Sequence, residues 1–229
     1  MSDAITAIAQ YMRLDLERLR AVSENVANTQ TTGYRALLLE AVAQPAGEGD
    51  SVTGPAVRSF YSTADGALTT TGQSLDFALS GNAWFAVLSP DGVRYTRDGA
   101  FHLDADGRLL TAMGLPVLGR SGPIVLSNAS VTADARGVIS YGDRPVAQLR
   151  IVALPSQSAL HLAGPNLYRF AAAPANDYVV RQGALETSNV NQSDEMVRMI
   201  GISRHIESIQ RAVVAYDRML GSAINQLGK

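Results

Sequence analysis

The chain has 229 residues, enough for one or two domains with a sizeable core, and its 19 basic and 21 acidic side chains leave it close to neutral. Its scattered arginines form no nucleic-acid footprint, and with no cysteine, disulfides, thiolate catalysis and cysteine-based metal sites are excluded. No apolar run approaches the length of a membrane span, so membrane insertion is not expected. Lack of cysteine suits an exported protein, but Asp3, Arg13 and Asp15 break up the N-terminal segment too often for a cleaved secretory signal.

In chain order, Ile5, Ile8, Met12, Leu16, Leu19, Val22 and Val26 recur at three- and four-residue steps and predict an amphipathic helix. Asp3, Arg13, Asp15, Glu17, Arg18 and Glu24 are expected on its other faces. Ser2 or Asp3 can cap it, and Gly33, closing the polar run from Asn28, is read as its stop signal. Residues 36–42 can continue as helix or begin a strand. The small, turn-rich run 44–50 reads as a flexible connector, and residues 57–61 as the strand that leaves it.

From Leu75 the pattern is one of short strands and tight turns. Ala83-Trp84-Phe85-Ala86-Val87-Leu88 is an unbroken apolar run, followed by Ser89-Pro90-Asp91-Gly92 with the residue choices of a type I turn. Asp98-Gly99 reads as a hairpin turn with positive φ, and Asp104-Ala105-Asp106-Gly107 closes the next hairpin. Turn signals continue at Gly114, Gly122, Gly137 and Gly142, residues 146–154 alternate as one strand, and 166–170 and 178–182 are the last strand-like pieces. Strands punctuated this often argue for an antiparallel β domain.

At the C-terminal end Met199, Ile202, Ile206, Ile209, Val213, Tyr216, Leu220, Ala223 and Leu227 alternate three and four apart without a break, an a/d seam on one long helix. Ser193 is its expected cap, with Asp194 and Glu195 favourable in the first turn. A seam that narrow stabilises nothing until a partner covers it, at roughly 1.5–3 kcal/mol per buried side chain. The N-terminal helix is one such partner, closing a private hairpin; the same ends of neighbouring subunits are another. The fold class is therefore α+β: N- and C-terminal helices pairing as a coiled-coil-like bundle, with a central antiparallel all-β domain. The divisions fall at 1–35 (helix), 36–73 (connector), 74–185 (β domain) and 186–229 (helix).

Catalytic signals are missing. His102, His161 and His205 are far apart and match no metal-ligand spacing. Asp104 and Asp106 lack the remaining ligands of a calcium loop and are explained by turn geometry. The serines and glycines build no nucleophile elbow or phosphate loop. Trp84 and Phe85 could form a carbohydrate platform, though a β-domain core is the commoner use. No enzyme activity, cofactor or metal is expected, and a soluble glycan-binding β domain is the alternative from another class.

The segment from Ser23 to Arg35, SENVANTQTTGYR, closely resembles the N-terminal NNLANxxTTGFK/R signature of bacterial flagellar rod and hook proteins. Ser188-Asn189-Val190-Asn191 with Glu195-Met196-Val197 and Met199-Ile200 is similar to their C-terminal SNVNxxEEMVxMI signature. The segments 66–79, 81–87, 95–101 and 104–109 agree in the same order, so the chain is identified as a member of the flagellar basal-body rod family, most similar to its proximal-rod branch, with the distal-rod branch next. Gln192-Ser193 stands where the family commonly has proline.

The resemblance implies a structural subunit of the periplasmic rod of the basal body, exported without a cleaved signal peptide by the flagellar export apparatus. Its implied partners are itself and other proximal and distal rod subunits, with no nucleic acid and no cofactor. Terminal helices in head-to-tail contact would build an open helical filament. The assembly interface would comprise the seam residues Ile5, Ile8, Met12, Leu16, Leu19, Met199, Ile202, Ile206, Ile209, Val213, Tyr216 and Leu220. Asn25, Asn28, Gly33, Asn189 and Asn191 are expected at the joint between helices and β domain.

Overall fold

The structure is a computed structural model that describes residues 2–42, 56–155 and 160–227. The flexible run expected over 44–50 lies outside the described residues. The protein is α+β, with one helix at each end and a largely antiparallel β region between them. It divides into two compact units.

The first unit holds α1 (Ser2–Ala27), α2 (Gln192–Leu227) and a two-stranded ribbon of Leu37–Val42 with Ala56–Tyr61, the latter continuing into the second unit at Phe60. Residues 37–42 are thus strand rather than further helix. The two helices pack on each other. Ile8, Met12, Leu19, Met199, Ile202, Ile206, Ile209 and Tyr216 are all half-buried. Val213, also expected in the seam, is exposed at 38%, and Ile5 and Leu220 lie within the helices, their side chains outside the described set.

Three expectations for the helices are corrected. Leu16, assigned to the seam, is 53% exposed, whereas Asp15, assigned to an outer face, is buried. Ile8, Met12, Asp15, Leu19, Val22 and Val26 alternate four and three apart, so the unbroken heptad passes through the aspartate; the apolar leucine beside it drew the reading one residue off. Asn191, not Ser193, caps α2: its Oδ1 accepts the backbone N–H of Ser193 at 3.1 Å and of Asp194 at 3.4 Å. Gly33 does not end α1, which stops at Ala27. The chain turns immediately afterwards, with Thr31 N–H donating to the Asn28 carbonyl at 3.1 Å.

The second unit (residues 28–36 and 60–190) is built on a six-stranded antiparallel sheet. Its order is His161–Leu162, Tyr168–Arg169, Gly92–Thr96, Trp84–Ser89, Ile151–Ala153, Ala173–Pro174. The apolar run 83–88 explains the arrangement, because its strand is covered on both sides. Phe85 and Val87 face a core with Phe77, Leu79, Phe101, Leu109, Val117, Ile139 and Leu149, while Trp84 and Ala86 face Tyr95, Tyr168, Phe170 and Leu154. Trp84 meets Tyr168 and Phe170 edge-on at 5.2 and 5.6 Å between centroids. Being buried, Trp84 and Phe85 offer no carbohydrate platform.

Turn chemistry holds where the aspartate side chain closes the loop. Asp104 Oδ1 accepts from the N–H of Asp106 and Arg108 at 2.9 and 2.8 Å, and Asp134 Oδ1 accepts from Arg136 and Val138 at 2.9 Å each. The glycines that follow, Gly107 and Gly137, take φ of 78° and 77°. The Asp98-Gly99 expectation fails: the strands on either side pair elsewhere, and Gly99 has no positive φ. Glycine is required there because a Cβ would overlap the Phe77 carbonyl. The single strand expected over 146–154 is two, Arg144–Gln148 and Ile151–Ala153, in different sheets. Leu149 and Arg150 lie between them, with Leu149 bridging to Gly119 and its N–H donating to the Gly137 carbonyl at 2.9 Å.

Candidate functional site: a buried ion-pair hub

The second unit gathers the two segments that lead to and from the terminal helices. Residues 32–36 and 186–189 run beside each other, with Gly33 N–H donating to the Glu186 carbonyl at 2.8 Å and Asn189 N–H to the Tyr34 carbonyl at 3.3 Å. Gly33 has φ of 64°, and a Cβ there would sit no farther than 2.7 Å from three backbone atoms of Arg97 and Asp98. Thr32 is held on both sides: its hydroxyl donates to Asp98 at 2.7 Å, and its carbonyl accepts from Asn166 Nδ2 at 2.7 Å. Burial pushes the Asp98 carboxyl up, against the hydrogen bonds from Thr32 and Ala100.

Beneath these segments lies a cluster of charged side chains. Arg35, Arg97 and Glu186 are each only 1% exposed. Arg35 reaches Glu186 Oε1 at 3.0 Å and Asp65 Oδ1 at 3.3 Å, and donates to the Ala64 carbonyl. Arg97 pairs with Asp65, approaches Glu186 Oε2 at 3.5 Å, and donates to the carbonyls of Leu79 and Gly81 at 3.0 and 2.7 Å. Glu186 Oε1 also accepts from Gly66 N–H at 2.7 Å, and Asp65 Oδ2 from Gly81 N–H at 3.0 Å. Both guanidiniums lie over the Trp84 ring, 5.6 and 5.5 Å from its centroid, each such contact being worth roughly 0.5–2 kcal/mol.

Two arginines against two carboxylates balance in charge, yet burial still costs. The Nε of each arginine has no acceptor among the described residues. Burial, helped by the like charge of Arg35, pushes Arg97 down to about 10, with Glu186 and Asp65 opposing. Burial also raises Glu186 above the ordinary value of 4.5, outweighing the pull of Arg97 and Arg35. A carboxyl whose folded pKa is raised contributes stability that is fully present below its unfolded value and is lost as pH rises through the folded one. Stability contributed by Glu186 should therefore fall as pH rises above 4.5. In urea titrations from pH 4 upward, Glu186→Gln should flatten that segment of the profile relative to the native chain.

Asparagines make two clamps. Asn189 Oδ1 accepts from Ala36 N–H at 2.7 Å, and its Nδ2 donates to Ser62 Oγ at 3.1 Å and to the Ala64 carbonyl at 2.8 Å, tying three stretches of the second unit. In the first unit Asn25 imitates a strand partner for Leu37, donating to its carbonyl at 2.9 Å and accepting its N–H at 2.8 Å. Asn25 is buried, so Asn25→Ala leaves both backbone groups unpaired, at about 1–3 kcal/mol each. Amide exchange at Leu37 should accelerate by at least tenfold, with the β domain's amides unaffected.

Of the residues expected at a joint, Gly33 and Asn189 lie on the two adjoining segments of the second unit, Asn25 clamps the first, Asn28 begins the turn after α1, and Asn191 caps α2. Arg35, Arg97, Asp65 and Glu186 were missed. Arg35 and Arg97 lie inside stretches picked out for other reasons, and no spacing rule joins positions 35, 65, 97 and 186. Among the described residues no three His, Asp or Glu side chains gather as a metal site would require, and no helix is long and apolar enough to cross a membrane. The hub and the hydrogen bonds around it join residues 32–36, 64–66, 79–81, 97–98 and 186–189 within the second unit.

Comparison with known proteins gives the chain a family. Residues 78–141 match the family described as the flagellar hook protein FlgE/F/G D1 domain, and residues 181–227 match the flagellar basal body rod FlgEFG protein C-terminal family. The flagellar basal-body rod protein FlgF of Rhizobium meliloti is 34% identical, covering 97% of this chain and 96% of that protein. FlgF of Caulobacter vibrioides is 32% identical over the same shares, and FlgG of Buchnera aphidicola is 32% identical over 88% of this chain and 91% of its own length. The chain belongs to the flagellar basal-body rod protein family.

Proposed function

We propose that this chain is the FlgF-type subunit of the basal-body rod and that it assembles, through its terminal helices, with copies of itself and with other rod subunits. The subunit assignment rests on identity over nearly the whole chain: 34% and 32% to FlgF of two organisms over 97% of it, against 27% to FlgG of Borreliella burgdorferi over 98%. The observation that carries the assembly reading is apolar surface left over. With α1 packed against α2, Met196, Val197, Ile200, Val214 and Met219 remain exposed, Val197 by 71%. At 100° per residue, Met196, Ile200 and Val214 fall on one line of α2, away from the Met199–Tyr216 seam. A helical hairpin that served only to close its own domain would have no use for a second apolar line; neighbouring subunits do. The coiled-coil character of the pair, the joint role of Asn25, Asn28, Gly33, Asn189 and Asn191, and export without a cleaved signal peptide belong to the same reading.

The experiment is mass spectrometry of purified hook–basal bodies beside a deletion strain. The chain should be present in amounts well below the hook protein, and the deletion should lose the rod and swimming. Absence from that fraction together with normal swimming would overturn the proposal. Expressing the chain in Rhizobium meliloti lacking either its FlgF or its FlgG separates the two subunits: rescue of the first strain alone supports the FlgF assignment, and rescue of the second alone reverses it.

A further inference from the structure

One polar contact on the helical hairpin is not explained by family membership. Asp15 lies near the middle of α1 with its side chain only 4% exposed, and His205 Nδ1 on α2 meets its Oδ2 at 2.5 Å. Arg18, one turn along α1, approaches the other oxygen at 3.4 Å. Asp15 occupies a seam position, flanked at heptad spacing by Ile8 and Val22, so the carboxylate sits where the pattern calls for an apolar side chain. A buried carboxylate is tolerated only where a donor meets it, and an imidazole Nδ1–H donates whichever charge the ring carries.

We infer that the Asp15–His205 pair pins the register of α1 against α2. The seam alone does not, because α2 repeats similar apolar residues every three or four positions and can slide by one step with little loss of apolar contact. Asp15 separates those alternatives. A slip of α2 by one turn sets Gly201, Ile202, Ser208 or Ile209 in place of His205, and a slip of a heptad in one direction sets Ala212 there. None of these carries a ring or cationic donor. A heptad slip the other way brings Arg198, but strips it from Glu195, which is itself buried and holds Arg198 at 2.8 Å. In each wrong register Asp15 keeps only Arg18 of its own helix, at 3.4 Å, or gains Arg198 at the expense of Glu195. This is the use of a buried polar residue in a helical seam that is best attested: it selects one alignment at some expense of stability. Because register decides which side chains of α2 remain outside, the pin sets the surface the hairpin presents. The inference concerns the isolated chain and does not depend on the rod assignment.

The lack of native cysteine makes the test direct. Met12→Cys is combined in turn with Ile202→Cys, Ile206→Cys, Ile209→Cys or Val213→Cys, and disulfide yield is measured on the purified full-length chain under mild oxidation. In the native background one pair should dominate. In the Asp15→Leu/His205→Leu background, which keeps the seam apolar and the helix content by circular dichroism, a second pair one helical step away should rise at least fivefold. His205→Gln, which retains a donor, should keep the single dominant pair. An unchanged single pair in the double-leucine background, with helix content intact, would overturn the inference.

Discussion

Gly33→Val should destabilise the β unit by roughly 3–5 kcal/mol, seen as a lower urea midpoint with an unchanged slope. Two independent causes add. Valine at φ of 64° is a strained conformer for a β-branched residue, and its Cβ would overlap the Arg97–Asp98 backbone, which cannot swing aside as a side chain could. The segment from Thr32 to Ala36 would have to lift, breaking the bond from Gly33 N–H to Glu186. Gly33→Ala shares both faults, lacks the branch, and should lie between the native chain and valine. If valine is tolerated within about 1 kcal/mol, the close approach at Gly33 does not hold the chain end in place. If the chain serves as the proposed rod subunit, the valine variant should also fail to swim.

The second large effect is expected at the hub. Glu186→Leu should cost about 3–5 kcal/mol, because breaking a buried ion pair leaves its partners uncompensated. Arg35 loses its closest carboxylate, Arg97 retains only Asp65, and Gly66 N–H loses its acceptor. Removing the two arginines as well should restore part of that loss: the triple variant Arg35→Met/Arg97→Met/Glu186→Leu is expected to be more stable than Glu186→Leu alone. That non-additivity, measured by urea denaturation, separates an ion-pair hub from three residues that happen to be buried. Equal destabilisation in the single and triple variants would argue against coupling.

Much of this protein was legible residue by residue. The hydrophobic period gave both helices, the apolar run at 83–88 marked a strand, and the aspartate-led turns at 104 and 134 were set by side chains reaching their own backbone. Such features depend on neighbours within a few positions, which is the range that sequence patterns report. The terminal motifs likewise carried the family, because they are local strings.

What only the tertiary structure decided has a common cause. Gly33 read as a helix stop because glycine commonly ends helices, but what demands glycine there is a backbone some 60 residues away. Gly99 is required by the Phe77 carbonyl and not by its own φ. Asp15 looked like an outer-face charge because its donor, His205, is 190 residues distant, and the burial of a charge is visible only together with its partner. Arg35, Asp65, Arg97 and Glu186 were silent for the same reason: no local rule favours or forbids a charge whose compensation arrives from elsewhere in the chain. Sequence by itself therefore determined the elements, their faces and the family. The folded chain decided which glycines and charges are held where distant segments meet, since close approach and desolvation exist only between segments brought together in space.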